Sequence, residues 1–442
     1  MTVFTRRIMG VETEYGIAGA LSPEETARYL FRPLVARYSS TNIFTHNAGR
    51  LYLDVGSHPE VATAECDSVG QLLRYERAGD ATVNRLALTA EQALQAEGIS
   101  GSVYLFKNNV DSVGNSYGCH ENYLLGRDMV LKTLGTKLLP FLITRQLICG
   151  AGLYRDGTFL LSQRADQVWE GISSATTRAR PIINTRDEPH GDSQRFRRMH
   201  VIVGDSNMSE PTFVLKIAST LLVLEMMEAG FDLPSLELAN PIKHIRDIAR
   251  DASGATPLLL KSGTTISALA VQQIYCDAAT RWLDERPAEA ADPELTYAVD
   301  LWARTLRGIE TGDLAGVATE IDWVIKKTLL DRYAGRASEA KLRQIDLAYH
   351  DIRPGRGLHS VLVSRGLARR LTTDEDIADA VEHPPATTRA ALRGAFLTRA
   401  DAVGARVTVD WVRLKHEFNQ VELPDPFTNV DERVDALIEG LG

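Results

Sequence analysis

Carboxylates on strand-like segments constrain the fold of this chain more than any other feature of its sequence. Alternation near the N-terminus predicts a strand with Glu12 and Glu14 on one face and Met9 and Val11 on the other. A carboxylate is a poor strand residue and is costly to bury without a partner, so several on one concave sheet face indicate a bound hard cation. A solvated outer face is the alternative interpretation of any single strand. Further acids stand on strand-like segments downstream: Asp54, Glu60, Glu65 and Glu121.

The segment around residue 52 adds other chemical groups to the same pattern. Arg50, Tyr52 and Asp54 alternate with Leu51 and Leu53, so a guanidinium, a phenol and a carboxylate project together. Magnesium prefers oxygen ligands, with a phosphate to complete its shell. The sequence has no Walker loop and no GxGxxG motif, so a nucleotide is expected to be held by a sheet. These residues therefore predict a magnesium–nucleotide sheet for an unidentified substrate, and an exposed strand face stays the alternative.

Composition limits the compartment and the partners. Lys+Arg 49 against Asp+Glu 58 gives a net charge of −9, which argues against non-specific nucleic-acid binding. The four cysteines form no CxxC pair, so neither a disulfide framework nor a structural zinc site is expected. The N-terminus has no apolar signal core, and no apolar stretch is long enough to cross a bilayer. We therefore expect a cytoplasmic protein.

The length of the chain predicts two domains, because 442 residues exceed one ordinary hydrophobic core. The pattern of residue types changes after the helical middle of the chain. This change predicts a catalytic domain at 1–365 and a small C-terminal domain at 366–442. The small domain is expected to be docked on the main body, since it is short for independent stability.

Local patterns predict particular elements in the first half. Ser22, followed by proline and two glutamates, is typical of a capped helix start. The segments 103–107 and 117–125 flank an Asn/Asp/Gly-rich connection, which predicts a hairpin with a long loop. Residues 164–193 are rich in Ser, Thr, Arg, Pro and Asp, which predicts a long irregular segment.

Several long segments resemble the signature segments of the Pup ligase/Pup deamidase family. They are, in order, residues 9–16, 50–60, 106–109, 118–123, 174–178 and 200–205, with 409–411 near the C-terminus. The resemblance runs nearly end to end. It implies a glutamine-synthetase-like α+β fold, in which a curved antiparallel sheet cradles ATP and magnesium. Helices back that sheet, and a small C-terminal domain closes one end of the nucleotide site.

The resemblance also implies a substrate and a set of roles. Family members act on Pup, a small, largely disordered acidic protein tag of bacteria that have a proteasome. The ligase joins the side-chain carboxylate of Pup's terminal glutamate to a lysine of a target protein, through a γ-glutamyl phosphate, and so marks the target for degradation. The implied roles are magnesium ligation by Glu12, Tyr52 and Glu60, ATP contact by Arg50, Thr63 and Trp411, and proton abstraction by Asp54.

Two features favour the ligase over the deamidase/depupylase, which is the alternative. Deamidases carry a long insertion between the first strand and the first helix, whereas residues 18–21 connect them directly here. Cys119 also resembles the ligase pattern. An acidic tag needs a local basic groove, and the candidate basic groups are Arg178, Arg180, Arg197 and Arg198.

Overall fold

An eight-stranded sheet is the centre of the fold, and helices cover one of its faces. The computed structural model describes residues 1–54, 56–111, 114–175 and 180–441. The strands are β1 (Met9–Glu14), β2 (Gly16–Ala18), β3 (Asn42–Phe44), β4 (Arg50–Leu53), β5 (Pro59–Ala62), β6 (Tyr104–Phe106), β7 (Cys119–Gly126), β8 (Leu153–Arg155), β9 (Thr158–Leu160), β10 (Glu170–Ser173), β11 (Pro181–Asn184), β12 (Phe196–Val201), β13 (Pro257–Leu259), β14 (Thr265–Ser267), β15 (Thr408–Val409), β16 (Arg413–His416) and β17 (Asn419–Glu422). The α-helices are α1 (Pro23–Tyr38), α2 (Val69–Ala96), α3 (Leu131–Thr133), α4 (Leu139–Thr144), α5 (Gln146–Cys149), α6 (Glu210–Ala229), α7 (Pro241–Ala249), α8 (Ala268–Glu285), α9 (Pro293–Thr311), α10 (Asp322–Asp331), α11 (Glu339–Tyr349), α12 (Leu358–Ser364), α13 (Asp374–Glu382), α14 (Ala390–Val403) and α15 (Glu432–Glu439).

The strand order of the main sheet is β10-β11-β12-β7-β1-β5-β4-β3. Every neighbouring pair is antiparallel except β10 with β11, which run parallel. The predicted α+β fold with helices behind the sheet is therefore confirmed. The sheet is therefore mixed, whereas a purely antiparallel sheet was expected.

Burial along the strands and helices shows where the core lies. The odd-numbered residues of β1 are buried and the even-numbered ones are partly open, as the two-residue period of a strand requires. Helix α6 lies behind the sheet, and all its residues except Ala229 are buried, which agrees with its apolar residues being spread around the whole helix. Within the described part of the chain, no helix has the length and apolar character needed to cross a membrane.

The predicted start of α1 is confirmed in detail. The Ser22 hydroxyl accepts from the Glu25 backbone N–H, and the Glu25 carboxylate accepts from the Ser22 backbone N–H at 3.2 Å. Such a reciprocal box satisfies two N–H groups that a helix end leaves without partners. Pro23 stands in the first turn, where no intrahelical hydrogen bond is lost.

Two local predictions are wrong because they concern strand pairing. Strands β6 and β7 do not form a hairpin: β6 pairs with β2, and β7 lies between β1 and β12. The segment 164–193 is not irregular throughout, since it contains β10 and β11. Turn residues mark where a strand ends, but the choice of pairing partner depends on segments that are distant in sequence.

The C-terminal part has a hydrophobic cluster of its own, which includes Leu392, Phe396, Leu414 and Val434. Ala380, on α13, belongs instead to the main core behind the sheet. The separate cluster thus begins at α14, while α13 packs on the main body. The division of the chain at residue 366 stays a prediction.

Glu121 lies on the core face of β7, not on the open face of the sheet. Its carboxylate accepts from Arg145 Nη1 at 2.8 Å and from the Tyr123 hydroxyl at 2.7 Å. Burial acts to raise the pKa of Glu121, but the Arg145 guanidinium outweighs it and lowers the pKa. Glu121 is therefore an ionised partner in a buried salt bridge.

Removal of Arg145 should destabilise the whole fold. Arg145→Met leaves the Glu121 charge buried without a partner, so the free energy of unfolding should fall by about 3–5 kcal/mol. Urea unfolding followed by circular dichroism measures the change. Arg343→Met is the matched control, because Arg343 forms only exposed ion pairs, which are worth about 0–1 kcal/mol. Equal effects of the two substitutions would contradict the role of the buried pair.

Candidate active site

Three strands bring acidic groups together on the open face of the sheet. Glu14 is directly opposite Glu60 across β1 and β5, and Glu60 is directly opposite Tyr52 across β5 and β4. Residues paired in this way have side chains on the same face. Asp54 approaches from the turn after β4, and one oxygen from each of Glu14, Asp54 and Glu60 lies within 4.8 Å of the others. We call this trio the carboxylate cluster.

A second group lies beside it, where β1 meets β7 and β12. Glu12 is opposite His120, whose Nδ1 is 3.3 Å from Glu12 Oε2. His200 Nε2 lies 3.6 Å from the same oxygen, and ligand atoms of these three residues fall within 4.8 Å of one another. Asn122 Nδ2 donates to Glu12 Oε1 at 3.1 Å, and Arg198 is 3.7 Å from that oxygen. We call Glu12, His120 and His200 the histidine cluster.

The electrostatics of both clusters favour a bound cation. Burial, and then the charges of Glu12 and Glu14, raise the pKa of Glu60 to about 9. Burial and the charge of Glu60 likewise raise the pKa of the Tyr52 phenol. Burial lowers the pKa of His200 to about 3, so its imidazole is neutral at neutral pH. Crowded carboxylates beside neutral imidazole suit a cation, which relieves their mutual repulsion.

Glu12 is in a different electrostatic state from Glu60. Burial acts to raise the pKa of Glu12 as well. The hydrogen bond from His120 and the positive charges nearby, including that of Arg198, outweigh burial and hold the pKa well below its usual range. Glu12 therefore offers a charged oxygen at the junction of the two clusters.

One of the buried atoms without a hydrogen-bond partner belongs to the histidine cluster. His200 Nε2 makes no hydrogen bond with any described residue, although it is buried. Buried polar atoms are nearly always hydrogen-bonded, so this nitrogen is available to bind a ligand. Carboxylate oxygens with imidazole nitrogens are a donor set that divalent cations accept, and the oxygens alone suit magnesium.

A cleft continues from Glu12 toward the C-terminal part of the chain. Gly10, on the same face of β1 as Glu12, lines it without a side chain, and Thr63 lines it from the end of β5. The Thr63 hydroxyl accepts from the Val11 backbone N–H at 3.1 Å. Trp411, from the segment between β15 and β16, covers the far end. The cleft thus joins an acidic end to an aromatic end.

The structure brings most of the implied site residues together. Those implied as magnesium ligands or base share the open face: Glu12, Tyr52, Asp54 and Glu60. The three residues implied as ATP contacts do not lie together. Thr63 and Trp411 line the cleft, whereas Arg50 does not. Arg50 lies 4.6 Å above the Tyr52 ring and donates to Asn42 Oδ1 at 2.8 Å.

Two acids assigned to strands by their sequence do not join these clusters. Glu65 pairs with Arg389 at 2.7 Å and with Arg393, both from the C-terminal part. Burial acts to raise the pKa of Glu65, but the two guanidiniums lower it to about 2. Glu121 faces the core with Arg145. Both acids are neutralised by arginine, so no cation is needed for them.

The sequence pattern did not assign His120 or Asn122 to the site, and it favoured a core position over a ligand role for His200. His120 and Asn122 alternate on β7 with buried Cys119 and Glu121, so the phase of the strand was readable. Which phase faces the clusters depends on the register with β1, which places His120 opposite Glu12. No local signal carries that register.

The candidate basic groups that the structure describes do not form one surface. Arg178 lies outside the described residues. Arg197 and Arg198 are neighbours on β12 and therefore project to opposite faces of the sheet. Arg198 faces Glu12 and donates to Asn122 Oδ1 at 2.8 Å. Arg180 stands before β11, where its carbonyl accepts from the Trp169 N–H.

The site combines a mainly antiparallel sheet that has helices behind it, acids on the open face of that sheet and a cleft that leads away from Glu12. The model of the Pup-ligase protein family matches residues 7–415. The chain belongs to that family.

Individual relatives agree with this assignment. The Pup–protein ligase of Corynebacterium aurimucosum is 61% identical over 99% of this chain and 96% of its own length. That of Corynebacterium glutamicum is 58% identical over 99% and 97%. A solved complex of the prokaryotic ubiquitin-like protein Pup with its ligase PafA superposes with a TM-score of 0.95 at 57% identity, covering 99% of this chain and 93% of that one. The ligase PafA in complex with ADP superposes with a TM-score of 0.88 at 58% identity, covering 95% and 94%.

The raised pKa of Glu60 predicts a pH-dependent stability. Between the ordinary value of 4.5 and about 9, the folded protein keeps a proton on Glu60 that the unfolded chain has lost. The metal-free protein should therefore lose stability as pH rises through this window, by up to about 1.4 kcal/mol per pH unit from this group. Urea unfolding at pH 5.5 to 8.5 with a chelator measures it.

Glu60→Gln should flatten that dependence, because the amide does not titrate. Glu237→Gln is the control, since Glu237 forms an exposed pair with Lys261. A wild-type slope that Glu60→Gln leaves unchanged would contradict the assignment.

Proposed function

We propose that this chain is an ATP-dependent Pup–protein ligase. The observation that carries the proposal is the cleft that joins Thr63 and Trp411 to Glu12, which belongs to the histidine cluster and lies beside the carboxylate cluster. It is supported by the relatives that are named as Pup–protein ligases and by the solved ligases with Pup and with ADP. The substrates are then Pup, through its C-terminal glutamate, and lysine-bearing target proteins.

The first chemical problem is activation of a carboxylate. Oxide is too poor a leaving group for an amine to displace it directly. Transfer of the γ-phosphoryl group of ATP to the glutamate side chain forms a γ-glutamyl phosphate and ADP, and phosphate then leaves readily. Magnesium, when bound, would neutralise phosphate charge. Glu12, Tyr52 and Glu60 would hold it, and His120 and His200 extend the donor set toward the cleft.

The second problem is the protonated amine. A lysine with a pKa near 10.4 is charged at pH 7, and the gap of about 3.4 units corresponds to about 4.6 kcal/mol. The carboxylate of Asp54 accepts one proton from the ammonium group, and the neutral amine nitrogen then bonds to the acyl carbon. The carbon–oxygen bond to the phosphate breaks, and the departing phosphate takes the second proton from the nitrogen. The turn after β4 holds this residue, because the Asp54 N–H donates to the His58 carbonyl at 2.9 Å. Glu14 beside it attracts the lysine ammonium.

The two parts of the chain contribute differently. In this proposal residues 1–365 carry the catalytic groups, and residues 366–442 close the nucleotide site through Trp411. Pup and this chain are both acidic, but charges separated by more than about 8 Å are screened at physiological salt. Local groups such as Arg198 can therefore dominate close contact, and Pup orders as it binds.

A conjugation assay tests the proposed function directly. The protein is incubated with ATP, magnesium, Pup ending in glutamate and a lysine-rich protein, and the products are analysed by mass spectrometry. We expect isopeptide-linked conjugates together with ADP and phosphate in equal amounts. Release of ammonia from Pup ending in glutamine, with no conjugates, would identify the deamidase instead.

Asp54→Asn should separate catalysis from nucleotide binding. The amide cannot accept the lysine proton, so we expect conjugation to fall at least about a hundredfold while ATP affinity stays within about threefold. Calorimetric ATP titration and the conjugation assay on the same variant measure both. Asp331→Asn, in an exposed pair with Lys327, is the control.

Glu12→Gln completes the comparison, because it removes a charged oxygen ligand and should weaken ATP binding mainly at limiting magnesium. The proximity of Asp54 to Glu14 and Glu60 would also suit a metal ligand. If Asp54→Asn weakens ATP binding in the same magnesium-dependent way, Asp54 is a ligand and not the base.

A further inference from the structure

The aromatic end of the cleft has a second ring besides Trp411. His190, in the loop between β11 and β12, lines the same cleft, and its ring centroid lies 6.2 Å from that of Trp411 at an interplanar angle of 44°. Tyr123 also lines the cleft, but its side chain belongs to the core face and donates to Glu121. His190 and Trp411 therefore are the two rings placed to contact a ligand.

The backbone of His190 is held in an uncommon conformation. Its φ is +48°, in the left-handed region that non-glycine residues rarely adopt. Such conformations cluster at ligand clamps and persist where the surroundings hold them. Here the Arg389 guanidinium donates to the His190 carbonyl, and two residues later the Asp192 N–H donates to the Pro424 carbonyl at 2.8 Å. The C-terminal part thus holds the His190 loop at both points.

One carboxylate connects both rings of the cleft. Glu65 accepts from Arg389 Nε at 2.7 Å, and it also accepts from Arg393. Arg393 Nη1 donates to the Trp411 carbonyl at 3.0 Å, and its guanidinium lies 5.0 Å from the Trp411 ring centroid. Each arginine therefore binds Glu65 and the backbone carbonyl of one aromatic residue. All three charged side chains are buried.

The rest of the cleft suits a flat ligand with a charged tail. Gly10 and Thr63 form a wall without large side chains, and the cleft then runs to Glu12 and Arg198. Burial, then the nearby Arg198 and Arg389, lowers the pKa of His190, so its ring is uncharged at neutral pH. A neutral imidazole next to an indole is a surface on which a heteroaromatic base can pack.

We infer that His190 is a second base-binding residue, which contacts the adenine of ATP together with Trp411, and that Arg389 is the positioning residue for it. The inference rests on the proposed function of the cleft as the nucleotide site. It goes further in assigning a second ring, His190, to the base and Arg389 to the positioning of that ring.

His190→Asn tests the contact without disturbing the backbone, because asparagine tolerates the left-handed region. We expect its affinity for ATP and for ADP, measured by calorimetry, to fall about ten- to hundredfold, the range for loss of base–aromatic stacking. His383→Asn is the matched control, since the His383 side chain is 70% exposed.

Magnesium tripolyphosphate distinguishes a base contact from a general loss of structure. This probe carries phosphates and no base, so His190→Asn should bind it as the wild type does. Equal weakening of ATP and tripolyphosphate would overturn the inference, and so would unchanged ATP affinity. If the wild-type protein binds neither ATP nor ADP, the proposed function itself fails, which is a separate outcome.

Arg389→Lys tests the positioning role. It removes the planar fork that reaches Glu65 and the His190 carbonyl together, so ATP affinity should fall several-fold while tripolyphosphate affinity is unchanged. In the double variant with His190→Asn the losses should not add, because both act through one contact. Additive losses would show that Arg389 acts elsewhere, and would overturn its assignment.

Discussion

Repulsion among carboxylates on the open face is the constraint on which the rest of the structure depends. Glu12, Glu14, Asp54 and Glu60 converge because three antiparallel strands and one turn place them on the same side. Without a cation, the repulsion is reduced because Glu60, whose pKa is raised to about 9, keeps its proton at neutral pH. A sheet that carries such a face needs a rigid support behind it. Helix α6, which is buried except for Ala229, and the Glu121–Arg145 pair lie on that side.

Acidic residues with similar sequence surroundings have opposite roles in this fold. Glu60 and Glu65 are five positions apart, yet one stands among other carboxylates and the other between two arginines. Their pKa values, about 9 and about 2, differ because their neighbours differ and not because their burial does. Sequence alternation therefore identifies which acids share a strand face, but not which of them need a cation.

The sequence predicted features that depend on nearby residues. The capping box at Ser22 and the common phase of Arg50, Tyr52 and Asp54 require only local geometry, and both are present. The pairing of β6 with β2 and the position of His120 opposite Glu12 depend on register between distant strands, and pattern alone could not supply them. Strands β10 and β11 in the segment 164–193 were not predicted, because each has only four residues and stands among polar and turn-forming residues, so neither shows a clear period.

Strand β5 connects the two ends of the site. Glu60 on this strand belongs to the carboxylate cluster, and Glu65, just after its end, holds the two arginines that bind the carbonyls of His190 and Trp411. A strand in the middle of a sheet is a stiff element, so the distance between the acidic end and the aromatic end is set by a few residues of extended chain. The C-terminal part therefore cannot move away from the cleft without breaking a buried ionic contact, which costs several kcal/mol. A ligand in the cleft therefore lies between an acidic end and an aromatic end, and the sheet determines the distance between them.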